Sequence, residues 1–305
     1  MNPAAVAEAT RRIAGRVRRT PVIEAEVDGR PVFLKLELLQ YTGSFKPRGA
    51  FNRVLGEAEI PAAGVIAASG GNHGAALAYV AHELGIACEI FVAEVTPDIK
   101  RRNIARYGAT ITVGGPQYSD ALAASLKRAA STGALEIHAY DHPATVAGQG
   151  TMAQELHEQV PDVGTVLMAA GGGGFIAGAA AWWEGRVDLV AVEPTGAPTV
   201  HAAIAAGKPV QVDVSSLAAD SLGSKIVGEA PFDAIRRGVT HSVLVDDDDI
   251  RAAQRYLWDE FRLVAEPGGA AALAAFRNRA FTPTHDGATV VVVCGSNCDP
   301  QTVTG

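Results

Sequence analysis

Short apolar runs alternate with stretches of helical periodicity along this chain. Residues 32–36, 65–68, 88–92 and 110–113 read as strands. The second leads into a helix over 73–84 that Gly85 ends; the third leads through Pro97 into a helix ended by Gly108. The fourth leads to a helix near 120–130. Further on, 166–169 precedes a glycine run and an alanine-rich helix, and 189–192, 243–245 and 290–293 continue the pattern. The acidic run Asp246, Asp247, Asp248, Asp249 opens a helix through Phe261; negative charge suits a helix N-terminus, a simpler reading than a metal site. Strand–helix alternation of this kind implies an α/β protein with parallel sheets covered by helices. In such sheets ligands collect at the carboxyl ends of strands, where loops feed helix N-termini. Composition marks no linker and no repeat, so pattern alone places no domain boundary.

The 305 residues, 48% hydrophobic, suffice for a large core in two domains or one large unit. Thirty-three glycines against 6% aromatics point to tight loops and close helix–sheet contacts. The net charge is −7, and the short basic stretches 16–19 and 100–102 read as solvated helix faces, so no nucleic-acid footprint is expected. Residues 1–19 mix Ala with Arg and Glu and do not read as a signal peptide, and no apolar stretch is long enough to span a bilayer. Cys88, Cys294 and Cys298 suggest neither a disulfide framework nor a structural zinc site. A cytoplasmic location is expected.

Four segments carry chemistry. In the first, Thr42-Gly43-Ser44-Phe45-Lys46-Pro47-Arg48-Gly49-Ala50, Ser44 is placed to cap a helix and Pro47 suits a first turn. Lys46 then sits at a helix N-terminus beside Arg48, a positive setting that favours the uncharged, nucleophilic amine over a solvated surface charge. The second, Ser69-Gly70-Gly71-Asn72-His73-Gly74, lies between a strand and a helix. Its glycines allow a nest of N–H groups for an anion such as a carboxylate, and Asn72 offers an amide. A glycine-rich turn capped by Ser69 is the plainer alternative, and a histidine entering a helix is more often structural than a base. The third is Gly171-Gly172-Gly173-Gly174-Phe175, which lacks both the Walker and the dinucleotide spacings and suits a bare phosphate cradle or a tight crossover. The fourth ends the last strand at Cys294-Gly295-Ser296-Asn297, where a neutral thiol faces a heterocycle nitrogen or simply fills space. Glu193-Pro194 and Glu266-Pro267 bring carboxylates to the same cleft or lie on surface turns.

Taken in order, these segments resemble the tryptophan-synthase-β-like group of pyridoxal-phosphate (PLP) enzymes, fold type II. Within that group they are most similar to the threonine/serine dehydratases and serine racemases, over nearly the whole chain. The resemblance implies two domains, each a parallel-strand-rich twisted sheet flanked by helices. Residues 1–50 and 144–305 would form a large PLP-binding domain, and 51–143 a small mobile one. It implies that Lys46 carries the cofactor and acts as general base. Phe45 would pack near the ring, and Asn72 would contact the ring hydroxyl. Gly171, Gly172, Gly173 and Gly174 would hold the phosphate, and Cys294 would face the pyridine nitrogen. Ser69, Gly70, Gly71, Asn72 and His73 would hold the substrate carboxylate. The implied substrate is a small hydroxy amino acid, L-threonine or L-serine, which loses water and ammonia to give a 2-oxo acid; a homodimer is implied as well.

The chain departs from the pattern in places. Gly70 stands where racemases resemble one another in having a serine base, which disfavours racemisation. Glu193 and Ala197 match a divalent-cation site of some members, but Thr199 stands at its Asp position, so no metal is expected. After Cys294 too few residues remain for a C-terminal regulatory domain, and isoleucine feedback is not expected. A dehydratase for another hydroxy amino acid such as 3-hydroxyaspartate, and a racemase-like enzyme, remain the alternatives.

Overall fold

In the computed structural model, which describes residues 1–304, ten strands build two sheets. The strands are β1 Val22–Val27, β2 Arg30–Lys35, β3 Val65–Ala68, β4 Cys88–Val92, β5 Thr110–Val113, β6 Leu135–Glu136, β7 Val163–Ala169, β8 Asp188–Pro194, β9 His241–Val245 and β10 Ala288–Val292. One sheet has the order β1-β2-β10-β7-β8-β9; the other has the order β5-β4-β3-β6. All neighbours are parallel except β1 and β2, which form an antiparallel hairpin. The fold is therefore α/β, as the alternation of apolar runs predicts. Strands β3, β7 and β8 are buried at every residue, because helices cover both sheet faces and no polar face is left to alternate.

Among the elements that the sequence reading passes over, three are hidden for clear physical reasons. Strand β1 reads Val-Ile-Glu-Ala-Glu-Val, an edge strand with mixed polarity; its turn, Asp28-Gly29, has φ of 49° and 73°, as a two-residue hairpin turn requires. Strand β6 is only two residues long. The helix Pro143–Gln159 hides its periodicity behind glycines used for close approach. A Cβ on Gly148 would lie 2.8 Å from Gly49 Cα, and one on Gly150 would lie 2.7 Å from Gly178 O.

Two main cores follow the sheets. The larger gathers Val166, Leu189, Val190, Ile176, Trp183, Leu273 and Val291; the smaller gathers Phe51, Val54, Val65, Leu77, Val80, Ile90 and Ile104. The helix Lys46–Leu55 starts beside the larger sheet, where Phe45 N donates to Cys294 O at 3.3 Å, and ends inside the smaller core. No helix among the described residues is long and apolar enough to cross a membrane.

Candidate active site

Lys46 is the first residue of its helix. Ser44 does not cap it: Phe45 is the cap residue, and the Ser44 hydroxyl is buried with no partner. Ser44 instead pairs as an isolated bridge with Gly295, which ties the lysine segment to the end of β10. The Lys46 amine donates to Ala139 O at 3.0 Å and lies 5.2 Å from the centre of the Phe45 ring. Phe45 stacks on Phe175 with ring centres 3.8 Å apart, and Phe175 directly follows the four glycines. Tyr140, next to the carbonyl that Lys46 contacts, packs on the same loop: a Cβ on Gly172 or Gly174 would lie 2.5 or 2.8 Å from it. The amine and the tetraglycine crossover thus share one cleft, at the carboxyl ends of the strands.

Burial lowers the Lys46 pKa to about 8; Cys294 and Glu266 oppose the shift. Arg48 plays no part in it, contrary to the reading of a shared positive setting. Its side chain turns the other way, into a buried cluster. There Nε and Nη2 grip Glu37 at 2.8 Å each, and Nη2 reaches Glu155 at 3.0 Å. Lys35 donates to Glu155 at 2.5 Å and to Thr20 O at 2.9 Å. Burial works against the Arg48 charge, but Glu37 and Glu155 raise its pKa above the ordinary value.

The four glycines leave β7 and enter the helix Gly174–Trp183. Gly173 has φ of 90°, a left-handed conformation that only glycine adopts freely. The N–H groups of Gly171, Gly172 and Gly173 meet no acceptor among the described residues, and a helix N-terminus lies behind them. The second glycine loop leaves β3 in the same sense. Gly71 N donates to Ser69 Oγ at 3.3 Å, and Gly71 caps the helix Asn72–Leu84. A Cβ on Gly70 would lie 2.6 Å from the Thr96 side chain. His73 is buried with Nε2 2.8 Å from Ile137 O; burial, then Lys46, depress its pKa to about 3, so the ring is neutral. Asn72 Nδ2 donates to Glu266 Oε1 at 2.5 Å, while its Oδ1 is buried without a partner. Cys294 is buried, its Sγ 3.5 Å from Gly268 O, and burial pushes the thiol pKa well up.

Of the two Glu-Pro carboxylates, only Glu266 enters this cleft. Glu193 caps another helix, accepting from Val200 N at 2.8 Å and His201 N at 2.7 Å, and burial pushes its acid up to about 8. Thr199 Oγ1 donates to Ser224 O at 2.6 Å. Lys100 and Asp220 are cleft residues that sequence reasoning missed. They pair at 2.9 Å across the gap between the helix Asp98–Ala105 of the smaller sheet and the segment beside Gly71. Lys100 lay inside a stretch that looked like a solvated basic face, and only its 7% exposure reveals otherwise.

Residues 13–295 match the family described as pyridoxal-phosphate dependent enzyme. The chain belongs to this family. It is 38% identical to the L-threonine ammonia-lyase of Geobacter sulfurreducens over 98% of this chain and 76% of that one. Among solved structures it is similar to maize serine racemase, with a TM-score of 0.93 and 32% identity over 99% of this chain and 95% of that one. It is similar also to the T.th. threonine deaminase, with a TM-score of 0.91 and 30% identity over 98% of this chain and 99% of that one. The family fold, PLP type II, and its cofactor thus apply here. The cleft fits that cofactor on three counts: a depressed lysine amine, glycine N–H groups without acceptors, and an orphaned buried amide oxygen.

Proposed function

We propose that this PLP enzyme is a threonine/serine ammonia-lyase, which removes water from L-threonine or L-serine to give a 2-oxo acid and ammonia. The observation that carries the reading is the Lys46 amine, held on Ala139 O beside the tetraglycine crossover with a pKa of about 8. The similarity to an L-threonine ammonia-lyase over nearly the whole chain supports the substrate class.

In this reading, PLP bound at Lys46 makes the Cα–H bond of an amino acid acidic by withdrawing electrons from it. Gly171 to Gly174 hold the phosphate with backbone N–H groups. Phe45 packs beside the ring. The neutral Cys294 thiol would face the pyridine nitrogen and leave it uncharged. Ser69, Gly70, Gly71, Asn72 and His73 hold the substrate carboxylate through the helix N-terminus, His73 with its backbone because its ring is engaged by Ile137 O. Lys46, poised near neutral pH, takes the Cα proton as general base. Residues 51–143 close over residues 1–50 and 144–305 to exclude water, the Lys100–Asp220 pair forming across the gap. The enzyme works in the cytoplasm as a homodimer.

Racemisation is the second reading, favoured by the likeness to maize serine racemase. It requires a proton donor on the face opposite Lys46, and Gly70 has no side chain to supply one. A panel of L-threonine, L-serine, D-serine and 3-hydroxyaspartate separates the possibilities. Release of 2-oxo acid from the first two supports the proposal. Turnover of 3-hydroxyaspartate alone, or D-serine formation exceeding 2-oxo acid release, replaces it.

A further inference from the structure

Glu266 and Asn72 form an incompletely satisfied pair in the middle of the cleft. Glu266 is 3% exposed and stands at the cap position of the helix Pro267–Arg277, yet its side chain makes no capping bond. Its backbone N–H donates to Gly295 O at 3.0 Å, and a Cβ on Gly295 would lie 2.0 Å from Oε1, so the carboxyl group is fixed against bare backbone. From there it crosses to the other sheet's first helix and accepts from Asn72 Nδ2 at 2.5 Å. Asn72 Oδ1 is left buried and unpartnered, an unfavourable state for a polar atom in a protein interior.

A carboxylate can only accept, whereas a carboxylic acid can donate. An ionised Glu266 therefore holds the Nδ2 end of the amide and turns Oδ1, an acceptor, into the cleft. A protonated Glu266 can donate to Oδ1, and the amide turned by half a rotation then presents Nδ2, a donor. We propose that Glu266 is a positioning residue whose proton sets which end of the Asn72 amide faces the ring hydroxyl of the cofactor. The inference rests on the cofactor site proposed above. An ionised ring oxygen is matched by the donor Nδ2 and a ring hydroxyl by the acceptor Oδ1; Glu266 exchanges its proton with solvent, so the form that the site favours changes with pH.

The surroundings keep this proton within reach. Burial raises the Glu266 acid and the Asn72 hydrogen bond opposes it. Lys100, from the helix Asp98–Ala105, and Lys46 lower it, while Asp220, from the short helix Ala219–Leu222, raises it. Cys294 and Cys298, from the segment after β10, also face it; both are pushed up by burial and stay neutral thiols.

The test follows the visible absorption of the bound cofactor with pH, from about 5 to 9, in wild type and E266Q holoenzyme. A glutamine at this position can pair with either end of the Asn72 amide but does not titrate, so the arrangement it adopts does not change over this pH range. The expected wild-type result is a step in the spectrum. In E266Q the step is lost while the cofactor is retained. N72A, which severs the link but leaves the carboxyl group, loses the step as well and stands in if E266Q does not fold. A spectrum without a step in wild type, or an unchanged step in either variant, overturns the proposal. A wild-type protein with no visible cofactor band overturns the cofactor site instead.

Discussion

Lys46 and Arg48 stand two residues apart on one helix, Arg48 buried and Lys46 partly so, and their surroundings treat them in opposite ways. Arg48 meets two carboxylates, Glu37 gripping it with both oxygens, and its charge is secured. Lys46 meets a carbonyl, a neutral thiol and the hydrogen-bonded Glu266 at a distance, and its charge is disfavoured. The first cluster is close to fully paired, as buried charges must be to persist. The second contains an orphaned oxygen on Asn72, glycine N–H groups without acceptors and a lowered amine pKa. Unmet polar groups beside a perturbed amine in a cleft are the mark of a site awaiting a ligand, and a paired network is the mark of a support.

The sharpest way to test this contrast is to remove each cation. Lys46→Ala should lower 2-oxo acid formation by about 10³-fold or more, because the general base is lost, while leaving thermal stability unchanged or raised. A turnover assay and a melting curve on one preparation check both halves. Arg48→Ala should do the reverse. Leaving Glu37 buried without its partner costs about 3–5 kcal/mol of stability, read by denaturant unfolding. Cofactor bound per folded molecule should be preserved. If Arg48→Ala spared stability but lost the cofactor, the division between support and site would fail.

How much of this was legible in the sequence follows the same divide. The strands β3, β4 and β5 have the limits that the apolar runs predict, although only β3 is buried throughout, β4 being partly buried and β5 an edge strand. The glycine loops declare themselves because close backbone approach excludes side chains. The direction of a side chain does not declare itself. Arg48 follows Lys46 by two positions, which on a helix places it on a different face, but nothing local says that Glu37 and Glu155 wait there. Lys100 looked like surface because its partner Asp220 lies 120 residues away in sequence. Glu266 and Glu193 share the Glu-Pro signature; one reaches the cleft and the other caps a helix, a choice made by tertiary packing.

A smaller effect sharpens the electrostatic half of the comparison. The neutral Lys46 amine is the form that attacks the cofactor aldehyde. Below its pKa of about 8 the ammonium dominates, so uptake of PLP by the apoprotein should slow by about tenfold per pH unit as pH falls, and level off above 8. Stopped-flow absorbance across that range gives the profile; a plateau reached only near the ordinary lysine value would show an amine that burial had not perturbed. Smaller again is the expected effect of Lys100→Ala. Loss of the pair with Asp220 should raise KM for the amino acid more than it lowers kcat, because it loosens closure and leaves the base in place. Steady-state kinetics with L-threonine and L-serine read the split, and an equal fall in kcat with unchanged KM would place Lys100 in the chemical step.

The central claim is that one amine, Lys46, holds the cofactor. Borohydride reduction of the holoenzyme followed by peptide mapping tests it most directly. The pyridoxyl label should appear on the peptide containing Lys46 and be absent from those containing the buried Lys35 and Lys100. A label on either of those, with Lys46 unmodified, would contradict the account.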